Sequence, residues 1–221
     1  MNEDAFLIAP EIEQYCEEHT SSETETLQQL VRETNLKMLM PQMLSGKIQG
    51  HFLTMLVEMM KPKTILELGT FTGYSAICMA QALPENGLLI TIDGNPEVEH
   101  LAQKYFKMSG LENKIRFING DALQIIPTLN MTFDMAYIDA DKEHLSDYYQ
   151  AVMEKMNAGG VIIVDNILWY GKVTDPNQND RTTQKIRQFN DMVQADNRVT
   201  NVLLPLRDGV MMIKLKSKNV F

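Results

Sequence analysis

"TILELGTFTGYSAICMAQAL", residues 64–83, is the stretch whose reading decides the fold. It opens on a short apolar run, turns through Gly69 and Gly73, and continues as an apolar helical pattern. A strand flowing through a glycine turn into a helix is half of a βαβ unit. The turn is not G-x-G-x-x-G, and Glu67 stands just before it. A dinucleotide fingerprint brings backbone amides against a pyrophosphate, and a carboxylate at that place would repel one.

Outward from this stretch the same grammar repeats. "GLLITID" is a second strand, followed by a helix over "PEVEHLAQKYFKMSG" that stops at Gly110. "KIRFING" is the third, with a short helix "ALQIIPTL" behind it. "FDMAYID" and "GGVIIVD" are the fourth and fifth, separated by the helix "HLSDYYQAVMEKM". Near-continuous apolar strands alternating with helices predict a parallel sheet covered on both faces. A polar segment, "PNQNDRTTQ", leads into the helix "KIRQFNDMVQAD". The last two strands, "VTNVLLP" and "VMMIKLK", are joined by "LRDG", a connection short enough to be a hairpin. The expectation is an α/β fold with a mixed sheet of about seven strands, the last antiparallel.

Before residue 61 the pattern is helical: "APEIEQYCEEH", "SSETETLQQLVRETNLKML" and "GHFLTMLVEMMK". Ser22 and Glu25 have capping-box spacing. The 221 residues fit one domain, or one with an appendage. No apolar run approaches the roughly 18 residues of a membrane span. The acidic start "MNEDAFLIAPEIEQ" does not read as an export signal. Two cysteines, Cys16 and Cys78, make no disulfide framework; Cys78 reads as a small core residue, and a cytoplasmic setting is expected. The formal charge of −9 disfavours a general nucleic-acid binder without excluding a local basic patch. Met55, Met59 and Met60 read as core or subunit-contact surface.

Open parallel sheets bind ligands at the carboxyl ends of their strands. Those ends carry Glu67, Asp93, Asp121, Asp139 and the pair Asp165-Asn166. Ordinary surface solvation accounts poorly for an acid at every one of five strand ends facing a cleft. A ligand with cationic groups suits Glu67. S-adenosylmethionine has a sulfonium, an ammonium and one carboxylate; Ser75 and the amides at the helix start suit that carboxylate, and Asp93 suits the ribose hydroxyls. Asp139, Asp165 and Asn166, at adjacent strand ends about 4.8 Å apart, form an oxygen set for Mg²⁺ or Ca²⁺ rather than zinc. Lys142 reads either as a proton acceptor beside this set or as a surface lysine pairing Asp141 or Glu143. Asp141 reads as structural, and His144 as packing or solvent-facing. Trp169, the single tryptophan, is either core or the wall of a pocket for a planar substrate.

Together, "ELGTFTGYS", "IDADK", "DNILWYGKV" and "LPLRDGV" resemble the cation-dependent class I O-methyltransferases of the caffeoyl-coenzyme A O-methyltransferase-like family, more distantly catechol O-methyltransferase. The similarity runs collinearly from about Met43 to Lys216. It implies a Rossmann-like seven-stranded sheet of order 3-2-1-4-5-7-6, in a single domain over residues 1–221. Residues 1–60 would be a helical extension that forms part of the pocket and a dimer contact; residues 61–221 would be the core. It further implies methyl transfer from S-adenosylmethionine to a vicinal aromatic diol with Mg²⁺, or Ca²⁺ or Mn²⁺. On this resemblance Asp139, Asp165 and Asn166 are metal ligands and Lys142 is the catalytic base, with Asp139 serving both metal and donor. Ser45, Glu67, Gly69, Thr70, Ser75, Asp93, Asp121 and Ala122 belong to the donor pocket, and Trp169 and Tyr170 to the acceptor loop. His51, Gly94 and Arg207 depart from the family's usual residues. The lysines and arginines Lys37, Lys47, Lys172 and Arg181 are scattered, which favours a free catechol over a thioester with a phosphate tail. The alternatives are a transfer-RNA hydroxyuridine O-methyltransferase of the same fold and, in another class, a NAD-dependent dehydrogenase or a non-catalytic binding module. The missing fingerprint and Glu67 count against the dehydrogenase, and an intact metal triad beside an intact donor pocket against a binding module.

Overall fold

A computed structural model describes residues 8–217. Its sheet has seven strands in the order β3-β2-β1-β4-β5-β7-β6, with β1 Thr64–Leu68, β2 Leu88–Asp93, β3 Ile115–Asn119, β4 Phe133–Ile138, β5 Met156–Asp165, β6 Val199–Leu204 and β7 Val210–Leu215. β7 runs antiparallel to both β5 and β6, as the short "LRDG" connection requires. The chain divides into two compact units, Glu13–Ala122 and the residues from Leu123 onward together with the start of the first helix.

In the first unit, β1, β2 and β3 pair in parallel. The helices are α1 Pro10–Glu18, α2 Glu25–Lys37, α3 Lys47–Met60, α4 Tyr74–Ala80 and α5 Pro96–Met108. Helix α5 shows why this sequence folds as it does. Its residues Val98, Leu101, Ala102, Tyr105 and Phe106 recur at helical spacing and are all buried. Asn95 caps it by accepting from the Glu97 amide, and Pro96 fills a first-turn position where no amide is missed. Helix α2 is capped by Thr24, which accepts from the Leu27 amide at 3.3 Å, and not by Ser22 as the capping-box spacing suggests. Glu23 is engaged elsewhere, taking the hydroxyl of Tyr74 at 2.5 Å. Cys78 is buried in α4, as read. Met55 and Met59 are exposed on α3 rather than in the core.

The second unit holds α6 Ala122–Ile125 from its second residue on, α7 Leu145–Met153 and α8 Arg181–Ala195. Of the boundaries that differ from the sequence reading, two have a clear cause. The helix expected to run to Met156 stops at Met153, because the Lys155 carbonyl already accepts from Phe133 and Met156 is paired with Phe133 in the sheet. Helix α8 starts inside the segment read as polar. The Asp180 carboxylate accepts from the Thr183 amide at 3.0 Å and its hydroxyl at 2.7 Å, a strong N-terminal cap.

Candidate active site

In the first unit the predicted donor residues Glu67, Gly69, Thr70, Ser75 and Asp93 lie at the end of β1, in the turn into α4 and at the end of β2. Glu67 is fully buried in β1 and accepts from the Ser75 hydroxyl of α4 at 2.6 Å. A carboxylate out of water has to be met by hydrogen bonds, and Ser75 gives one across the glycine turn. Parallel pairing sets Glu67 opposite Thr91 and Leu68 opposite Ile92. The turn after β1 therefore lies beside the end of β2, and two side-chain bonds fasten it there. Thr70 and Thr91 hydroxyls meet at 2.5 Å. Asp93 accepts from the Phe71 amide through one carboxylate oxygen and from the Asn95 amide through the other, both at 2.8 Å. Phe71 is held at φ 47, a left-handed conformation that costs a non-glycine residue roughly 1–2 kcal/mol, and the Asp93 bond to its amide helps hold it.

The end of β3 is tied to Asp93 as well: the Gly120 amide and the Asn119 side chain both donate to the Asp93 main-chain carbonyl. Asp121 follows directly and is exposed, with Ala122 partly so. Ser45, just ahead of α3, is buried. Helix α2 reaches this turn through a buried bond from the Thr34 hydroxyl to Thr72 at 3.0 Å.

In the second unit, β4 and β5 pair in parallel, and the last registered pair is Ile138 with Val164. The next residue on each strand is an aspartate, Asp139 and Asp165. Adjacent strands lie about 4.8 Å apart, so the two acids sit at one level of one sheet edge. Asp165 is buried; it accepts from the Tyr137 hydroxyl at 3.1 Å and from the Asn166 amide at 2.8 Å. Lys142, only 9% exposed, places Nζ 3.0 Å from an Asp139 oxygen. That settles one alternative: Lys142 is no surface lysine pairing Asp141 or Glu143. Asp141 is structural, as read. It accepts from the Glu143 amide, from His144 at 2.7 Å and from the Tyr148 hydroxyl at 3.1 Å. His144 is half exposed, and its bond to Asp141 raises its pKa.

Among the described residues no group of three or more His, Cys, Asp and Glu side chains is disposed to hold a metal. The Asp139, Asp165 and Asn166 set contains two carboxylates and an amide, all oxygen donors. Such a set suits a hard dication and not a thiolate- or imidazole-seeking one.

Beyond Asn166 the chain makes a tight loop. Asn166, Trp169 and Tyr170 all have left-handed φ, at 56, 48 and 54. Trp169 is partly buried, and its ring centroid lies 5.7 Å from that of Tyr170, which is exposed. Asp208 supports this loop, accepting from the Tyr170 amide, while its main-chain carbonyl accepts from Leu168. Burial lifts the Asp208 carboxyl above its ordinary value, opposed by the Tyr170 amide and the charges of Lys142, Arg207 and Lys172. Sequence reasoning does not single out Asp208; the acid before the turn glycine of "LRDG" is the one signal that could.

The O-methyltransferase family model matches residues 17–216. This chain belongs to the O-methyltransferase family. The chain is 39% identical over 171 residues to a catechol O-methyltransferase of Niastella koreensis, covering 76% of this chain and 77% of that one. The O-methyltransferase fold is shared with the enzyme from Bacillus cereus in complex with SAH, at TM-score 0.87 and 28% identity over 93% of this chain and 97% of that one. It is shared equally with TomG from Streptomyces achromogenes, an O-methyltransferase of tomaymycin synthesis in complex with SAM, at TM-score 0.85 and 29% identity over 94% and 96%. Among the described residues of this O-methyltransferase, no helix is long and apolar enough to cross a membrane.

Proposed function

We propose that this O-methyltransferase moves the methyl group of S-adenosylmethionine to one hydroxyl of a vicinal aromatic diol, of catechol or hydroxycinnamoyl type, with the help of a divalent cation such as Mg²⁺. One observation carries the reading: Asp139 and Asp165 follow the same registered pair of adjacent parallel strands, with Asn166 next in line and the Lys142 ammonium bonded to Asp139. The donor is supported by the relatives solved with SAM and SAH, and the acceptor class by the catechol O-methyltransferase relative.

Asp139, Asp165 and Asn166 would hold the cation. A bound divalent ion lowers the pKa of a hydroxyl it coordinates, as it does for water. Lys142, once it has lost its own proton to solvent, would take the phenolic proton on the neutral amine at Nζ, which lies 3.0 Å from Asp139. Glu67 faces the donor's positive groups; Asp93 accepts its ribose hydroxyls and Asp121 lies toward the adenine. Ser45, Gly69, Thr70, Ser75 and Ala122 shape the rest of the donor site. Trp169 and Tyr170 offer flat aromatic faces to a planar acceptor. Leu39, Met43, Met55 and Met59 are exposed apolar side chains; we read them as the contact of a homodimer, which light scattering of the purified protein tests.

The test is a panel of catechol, caffeate, a hydroxycinnamoyl thioester and bulk tRNA with labelled methyl donor. Methylation of a diol is expected with Mg²⁺, with loss of activity in excess EDTA and in Asp139→Ala. Turnover that continues unchanged in excess EDTA would overturn the role of the cation. Label in tRNA and none in any diol would overturn the acceptor.

A further inference from the structure

Helix α8 contacts the loop after Asn166 in a way the reaction has not yet used. Arg187, half-buried on that helix, directs its guanidinium wholly at main-chain carbonyls. Nε donates to Val173 at 2.9 Å, Nη1 to Gln178 at 2.8 Å, and Nη2 to Lys172 at 2.8 Å and to Asp175 at 2.5 Å. Three residues on, the Asn190 amide donates to the Ile167 carbonyl at 3.0 Å. These two side chains lie on one face of α8 and grip the loop on both sides of Trp169 and Tyr170. The Lys172 amide donates back to the Trp169 carbonyl at 2.9 Å, so the gripped segment is one turn from the indole.

The loop needs such a grip. Trp169 and Tyr170 both have a backbone conformation that L side chains disfavour, and they do so outside any helix or strand. On the far side, Asp208 and Gly209 accept from the Ile167, Leu168 and Tyr170 amides. A guanidinium is a rigid planar fork with five donors and can satisfy several carbonyls at fixed angles; a lysine ammonium is a single point and cannot.

We propose that Arg187, assisted by Asn190, is a positioning residue that presets Trp169 and Tyr170 in the conformation that receives the acceptor. The loop is thus built before the acceptor arrives, and acceptor selectivity follows from a preformed wall. This rests on the reading of Trp169 and Tyr170 as acceptor contacts.

Trp169 is the only tryptophan of the chain, so its fluorescence reports on this loop alone. Acrylamide quenching is measured for wild type, Arg187→Lys and Arg187→Met, with the exposed Gln188→Ala as control. Catechol KM and S-adenosylhomocysteine affinity are read on the same proteins. We expect the quenching constant to rise about twofold or more in both Arg187 variants and catechol KM to rise about tenfold, as for other displaced positioning groups. S-adenosylhomocysteine affinity should stay within about twofold, and Gln188→Ala should match wild type. Unchanged quenching in a folded Arg187→Met overturns the proposal, as does a parallel loss of S-adenosylhomocysteine binding, which marks general damage. Increased quenching with an unchanged catechol KM overturns the acceptor role. If the Arg187 variants do not fold, Asn190→Ala, which removes one bond, takes their place: quenching and catechol KM should both rise, and unchanged quenching there overturns the proposal equally. Wild type that methylates no diol removes the proposed function, while the quenching comparison still decides whether Arg187 holds the loop.

Discussion

Gly73 closes the turn between β1 and α4, and replacing it with alanine tests how that turn is held. Two effects act at this position. Its φ is +91, a conformation that costs an L residue roughly 1–2 kcal/mol. In addition, an added Cβ would lie 2.6 Å from Cε1 and 3.0 Å from Cζ of Phe106. Phe106 is fully buried on α5, so its ring has no solvent to swing into. Overpacking of this kind costs roughly 1–3 kcal/mol, and Gly73→Ala should therefore lose about 3 kcal/mol. Gly110 supplies the control: its φ is +69, but an added Cβ there meets nothing within 4 Å. Gly110→Ala should show the backbone part alone, about 1 kcal/mol. Urea unfolding at neutral pH measures both. The Thr70 carbonyl accepts from the Gly73 amide, so a shift at Gly73 also moves the turn proposed to hold the donor. Calorimetry with S-adenosylhomocysteine should show affinity down about tenfold in Gly73→Ala, equivalent to about 1.4 kcal/mol, and unchanged in Gly110→Ala. Equal stability losses in the two variants would refute the role given to Phe106.

Two charged contacts elsewhere in the fold give further expected outcomes. Bonds from Lys104, Lys37 and Tyr105 hold the Glu33 carboxyl at about 2, below its usual 4.5. Since both lysines are substantially exposed, solvent screening leaves about 1–2 kcal/mol for Glu33→Gln to lose at neutral pH. A lowered folded-state pKa stabilises above the unfolded value and stops doing so as pH falls through the folded one, so wild type and Glu33→Gln should converge between about pH 4.5 and about pH 2; a gap unchanged at about pH 3 would count against the cluster. Lys142→Met should lower kcat about 10²-fold or more, the scale of lost proton transfer, with S-adenosylhomocysteine affinity kept; full activity would remove Lys142 from the reaction.

The alternation of apolar runs with helical patterns from Thr64 to Met156 was legible because each period reports a local geometry, and the short "LRDG" link could only reverse the chain. The acids at the strand ends were legible for the same reason: once the strands are placed, their last residues share one edge. Element boundaries were less so. Ser22 has the spacing of a cap, yet Thr24 does the capping; Met156 continues a helical pattern, yet pairs with Phe133. In both places a contact made elsewhere in the fold decides between two locally acceptable states.

What the chain of residues determined alone is the kind and order of its elements, the identity of the residues at the strand ends, and so the class of chemistry they can support. Only the tertiary structure decided which side chains hold those residues still. Glu33 meets Tyr105 from 72 positions away, Thr34 meets Thr72, and Arg187 grips carbonyls that every residue type possesses. Contacts to the main chain, or between distant helices, impose no period on the sequence, so they appear only when the chain has folded.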